Sequence, residues 1–223
     1  MKKRELIAGG LTLLLLASAA QAAEMTKYYA RSGSKMRIEG TSNIHDWQVE
    51  GSIIGGTFEV GPNFPTSPGQ PATLGKMEAT VDCFIQVSSL TSRESDGKPY
   101  STSMDDIMYE HLKAKDFPRI TYHLTELTLK EAAKTKEAPY VFEAKGNLGV
   151  AGVTNAITMP VNITVLTNNQ MKISGTATVK MTNFKIEPPA PKVALGLIKT
   201  GDDVKLIFDW NVAQRTAAAA DKK

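Results

Sequence analysis

The sequence predicts an all-β protein, an antiparallel β-barrel of about eight strands with one inserted amphipathic helix. Three observations lead there. Apolar and polar residues alternate with period two in stretch after stretch. The stretches are long sequential neighbours with a single apolar face, as in an antiparallel sheet, and closing such a sheet hides its edges. One segment alone, SMDDIMYEHLKAKDFP, switches to helical spacing.

The chain of 223 residues opens with MKKREL, then the apolar run LIAGGLTLLLLASAA, then Ala20-Gln21-Ala22. Basic, apolar and small residues in that order read as a secretory signal peptide over 1–22, too short for a typical membrane span. Its removal takes away Lys2, Lys3, Arg4 and Glu5, so the net charge falls from +3 to +1. A near-neutral chain gives no electrostatic reason to expect nucleic acid or an anionic membrane as partner. With no second long apolar stretch, stable membrane insertion is not expected, and the expected location is the periplasm. Cys83 is the only cysteine. It excludes an internal disulfide and lies in phase with apolar neighbours, as a small buried apolar residue would.

The elements follow in order. KMRIEGTS and HDWQVEGSIIGGTFEV supply the first strands, with a bulge or sharp bend expected at Gly55-Gly56. GPNFPTSPGQPAT, over 61–73, is a loop. In GKMEATVDCFIQVSS the apolar face is Met77, Ala79, Val81, Cys83, Ile85 and Val87, and only Phe84 breaks the alternation. The helix is expected at about 103–115. Ser103 and Asp106 resemble a capping box, Lys113 and Lys115 suit the C-terminus, Pro118 ends it, and Met104, Ile107 and Met108 form a stripe read as core packing. RITYHLTEL slips phase at Leu127, which predicts a bulge. YVFEAKGNLGV and AITMPVNITVLT are strands. Asn168-Asn169 make a tight turn into QMKISGTATVKMT. A long loop over 183–202 leads to DVKLIFDWNVAQ, and residues 216–223 read as a disordered tail.

A barrel of this size either fills its lumen with side chains or encloses one elongated ligand. Small residues fall in phase, among them Ala79, Ala144, Gly146, Gly175 and Ala177, while Tyr122, Met171, Phe208 and Trp210 are bulky enough to fill the space opposite. The sequence leaves both outcomes open. If the lumen is open, its walls suit a hydrocarbon chain. The candidate ligand-binding residues are Ala79, Val81, Ile85, Tyr122, Val161, Ile163 and Ile173, together with Ala177, Val179, Leu206 and Phe208. Trp47 and His45 join them at the barrel mouth. On a strand, His45 and Trp47 share one face and Asp46 lies on the other, which speaks against a catalytic His-Asp pair; a turn at 43–46 would loosen that argument. No nucleophile elbow, zinc-protease motif or phosphate loop is present, and His111 and His123 lack the spacing of metal ligands.

Several segments together resemble the YceI family: HLKAKDFPRITYHLTEL, GNLGVAGVTNAITMPVNITV, GTATVKMTNFKIEPP and GDDVKLIFDW. The helix motif reads His111-Leu112 to Phe117, then Pro118 to Tyr122. The glycine motif reads Gly146, Leu148, Gly152, Val153 and Thr154. The match runs from about residue 26 to 214, within a domain expected at 23–215. The G-x-S portion of the family's early strand is replaced here by His45-Asp46-Trp47-Gln48-Val49-Glu50-Gly51. The resemblance implies a lipocalin-like barrel that binds a polyisoprenoid chain, with no catalysis and no metal. Its expected partner is an apolar lipid-like small molecule, with no cofactor beyond a bound isoprenoid lipid or quinone; the oligomeric state stays open. Two rivals remain: a ligand-free interaction or stress protein working through its 61–73 and 183–202 loops, and an enzyme acting on lipids.

Overall fold

A computed structural model of the chain describes residues 24–190 and 198–215. The leader, its cleavage site and the tail from 216 lie outside the described residues, as does part of the long loop. Among the described residues, twelve strands form one antiparallel sheet. In chain order they are β1 (Thr26–Ala30), β2 (Lys35–Ser42), β3 (Trp47–Gly51), β4 (Ile54–Val60), β5 (Gly75–Met77), β6 (Ala79–Gln86) and β7 (Leu90–Arg93). After helix α1 (Thr102–His111) come β8 (Arg119–Glu131), β9 (Tyr140–Val150), β10 (Val153–Leu166), β11 (Gln170–Lys180) and β12 (Thr200–Ala213). Eight of them close a barrel in the order β1-β4-β6-β8-β9-β10-β11-β12, sealed where Tyr29 and Ala30 of β1 meet Ala213 and Val212 of β12. The other part of β12 carries an extension, β2-β3-β7. Several runs that alternate continuously in sequence are therefore divided, such as β3 and β4 on either side of Ser52-Ile53, so twelve segments appear where about eight or nine strands are expected.

Alternation packs the inner faces into two clusters. The lower one is rich in aromatics: Phe64 meets Phe58 edge-on and stacks on Phe142, both at 5.5 Å between ring centroids. Phe64 belongs to the 61–73 loop. That loop is a plug and not a free rim, since Phe64 is buried and the Tyr140 hydroxyl donates to the Gln70 carbonyl at 2.6 Å. The upper cluster gathers Val49, Leu90, Ile120, Leu148, Phe184 and Ile186.

The bulge near Leu127 is present, as a register shift between Leu124 and Glu126. Asn168 and Asn169 both take positive φ, 60° and 55°. Three expectations need correction. Gly55-Gly56 makes no bulge, because the β4–β6 register runs unbroken. Gly56 is needed for close approach instead: at φ 125° a Cβ there would sit 2.1 Å from the Asp82 carbonyl oxygen. The helix starts after Ser101, not at a Ser103–Asp106 box. The Ser101 side chain pairs with the Ser103 hydroxyl, and Asp105 turns toward β7 to accept the Ser92 backbone N–H at 2.6 Å. It ends at His111, because Lys113 adopts φ 52° and stops the helical ladder. Finally, the Met104–Ile107–Met108 stripe is core only in part, since Met108 alone of the three packs on the upper cluster. No residue of α1 is fully buried, and the stripe faces a cavity.

Candidate ligand chamber

Among the described residues, inward-facing side chains enclose two neighbouring, mainly apolar spaces. The inner one, of about 110 Å³, lies within the lower barrel. It is small because bulky residues fill the slots that glycines leave. The Tyr122 ring lies where a Gly146 side chain would be, with its hydroxyl 2.5 Å from that Cβ position, and the Phe208 ring does the same over Gly175 at 2.7 Å. The outer space, of about 770 Å³, sits between the β2-β3-β7 extension, α1 and the upper ends of β8–β12. That size falls in the range of ligand-binding cavities.

The sequence-predicted residues divide between the two. Val81, Tyr122, Val161 and Ile163 line the inner space, as do Ile173, Ala177 and Phe208. His45, Trp47 and Val179 line the outer chamber. Ile85 and Leu206 border both. Ala79 borders neither: it pairs with Val60 and packs on the lower core. Sequence reasoning missed the helix stripe, together with Phe184 and Ile186, which complete the outer chamber. The signal was present in the stripe. Its mixture of methionines with polar neighbours at helical spacing is an apolar face with nothing in the sequence to say what it covers.

Polar groups collect at one side of the outer chamber. His45 lies in a turn before β3, built by Ser42, whose hydroxyl donates to the His45 carbonyl at 2.7 Å and accepts the backbone N–H groups of Ile44 and His45. Residues 43–46 are thus not strand, and the alternation argument for Asp46 does not apply to them. The His45 ring nonetheless contacts the Asp46 backbone carbonyl, 2.7 Å from Nδ1, and faces Tyr100 at 6.1 Å. The Trp47 indole N–H donates to the Thr41 carbonyl at 3.1 Å, laying the ring against Gly40 on β2. Arg93 reaches the same chamber from β7, near Glu50 at 3.9 Å. Helix α1 hangs on β7 by the Asp105–Ser92 bond and by the Tyr109 hydroxyl, which donates to the Leu90 carbonyl at 2.6 Å.

The interior does not favour charge. Burial pushes the Cys83 thiol up to about 12, with the Asp82 carboxylate adding to the effect. Burial, and then the nearby Cys83, also raise the Tyr122 phenol above its ordinary value. Among the described residues no group of three His, Cys, Asp or Glu side chains could hold a metal, and no helix is long and apolar enough to cross a membrane. A mainly apolar chamber with a polar border is chemically suited to an amphiphile, an apolar chain matching the walls and a polar group the border.

Comparison with known proteins agrees with this geometry. The family model described as a YceI-like domain matches residues 29–212. Three solved structures share the fold at low sequence identity. BcnA of Burkholderia cenocepacia is 14% identical with a TM-score of 0.57, over 80% of this chain and 95% of that one. A polyisoprenoid binding domain from Saccharophagus degradans, described as implicated in plant cell wall breakdown, is 10% identical with a TM-score of 0.61, over 86% of this chain and 100% of that one. The YCEI protein of Campylobacter jejuni is 15% identical with a TM-score of 0.50, over 97% and 100%. No curated protein matches the chain.

Proposed function

The chain belongs to the YceI-like family, and from that premise we propose that it binds or carries an amphiphilic lipid with an isoprenoid-like tail, in the periplasm and without catalysis. The observation that carries this reading is the outer chamber, about 770 Å³, with mainly apolar walls and a broad polar border. An apolar cavity of about 150 Å³ holds a six-carbon ring, roughly 25 Å³ per carbon. By that measure the chamber holds about 30 carbons, or about six isoprene units. Each buried methylene contributes about 0.8 kcal/mol before the cost of ordering the chain. Tail contacts fall to Trp47, Val179, Met108 and Ile107, and His45 stands at the border where a head group would lie.

The periplasmic assignment rests on the leader sequence. The alternative, a ligand-free interaction or stress protein with a filled barrel, draws support from the packed lower barrel, where the inner space has room for only about four carbons. Mass analysis of protein gently extracted from its native host separates the two. A lipid bound at about one per chain supports the carrier, and a clean ligand-free mass supports the alternative.

A further inference from the structure

The inner and outer spaces share five bordering residues: Met36, Ile85, Ile120, Leu148 and Leu206. Three of them, Met36, Ile120 and Leu148, are buried. Ile85 and Leu206 are only half-buried although they point into the middle of the barrel, so their free surface faces the cavities. They also pack against both core clusters. Ile85 comes from β6 and Leu206 from β12, which approach from different sides of the ring, with β4 and β1 between them one way and four strands the other. Of the five shared residues, Ile85 and Leu206 are thus the two with free aliphatic surface between the spaces.

We propose that Ile85 and Leu206 form the floor of the outer chamber and thereby set the longest tail the protein accepts, about six isoprene units. This rests on the carrier reading above and adds its length specificity. Above the floor a growing tail gains apolar contact with each unit. Beyond it, further units must stay in water or force the floor apart.

The volumes give the size of the effect. Truncating both residues to alanine removes six side-chain carbons, about 150 Å³ at roughly 25 Å³ per carbon. It also joins the inner space of about 110 Å³ to the chamber. Together that is room for about ten more carbons, or about two isoprene units.

The test is competition among all-trans prenyl alcohols of about three to ten isoprene units, read by native mass spectrometry on the full mature chain. In the wild type, occupancy is expected to rise with length to about six units and then level or fall. In Ile85→Ala/Leu206→Ala the turning point moves to about eight, and in either single variant to about seven, so the singles serve if the double fails to fold. A turning point that stays in place in folded variants overturns the floor assignment and leaves the carrier reading standing. A wild type that binds no prenyl alcohol of any length overturns the carrier reading, and the length limit falls with it.

Discussion

Replacing Gly40 with alanine tests how the chamber wall is built. Gly40 of β2 pairs with Trp47 of β3, and the indole lies across the glycine. An alanine Cβ there would stand 2.1 Å from Trp47 Cζ2 and 2.5 Å from Cε2, where ordinary contact begins at 3.4 Å. The ring must therefore retreat by about 1.3 Å, the difference between 3.4 and 2.1. It cannot do so and keep its N–H on the Thr41 carbonyl, now 3.1 Å away. The lost bond is worth about 1 kcal/mol and the displaced rotamer about 1 kcal/mol more. A total of about 2 kcal/mol lowers the melting temperature of a domain this size by about 4–8 °C. Thermal and urea unfolding, with tryptophan emission as probe, measure the stability and the ring's environment together. Because Trp47 lines the outer chamber, prenyl alcohol binding should weaken as well. In a Trp47→Leu background the same glycine change should cost far less, a non-additivity expected of residues in contact. A loss below about 0.5 kcal/mol with unchanged emission would refute the packing described for this wall.

Three further outcomes are expected. Tyr109→Phe removes the bond to the Leu90 carbonyl that helps hold α1. It should cost about 1 kcal/mol and speed amide exchange in α1 while barrel strands stay protected; uniform exchange changes would contradict the tethering. Stability should decline as pH rises above about 9. The Cys83 thiol and Tyr122 phenol stay neutral in the fold, with the thiol at about 12, yet ionise near their ordinary values of 9.0 and 10.0 when unfolded. The contribution is therefore complete below the unfolded values and lost through the folded ones, and Cys83→Ala should flatten the alkaline limb of a pH–stability curve. Ala177→Trp should overfill the inner space of about 110 Å³ at a cost of about 1–3 kcal/mol while leaving tail binding in the outer chamber intact. Loss of binding by a folded variant would place the tail in the inner space instead.

Period-two alternation made the barrel readable, and even the phase slip at Leu127 carried its bulge into the fold. The two family motifs also had a meaning that only packing reveals. Phe117 of the helix motif lies over Gly152, 2.4 Å from where a side chain would begin, and Tyr122 lies over Gly146. These glycines are the sockets of those rings, and a one-dimensional pattern does not show which ring fills which gap. The same limit explains the division of the interior. Alternation says which residues face inward but not how high along the barrel, so Val179 and Val81 looked equivalent although they line different spaces. The helix stripe read as core throughout, though only Met108 packs on the upper cluster, because period cannot distinguish a face against other side chains from a face against a cavity. Ser101 rather than Ser103 precedes the helix because the tertiary partner Ser92 claims Asp105 and the Ser101 backbone, an interaction between segments that no local signature encodes.

The central claim is that an apolar tail occupies the outer chamber. Intermolecular proton contacts between a bound prenyl alcohol and labelled methyl groups of the protein test it most directly. The chamber predicts contacts from the tail to Ile107, Met108 and Val179. Contacts confined to outward-facing residues such as Ile53 or Leu166, both exposed on the surface, would contradict it.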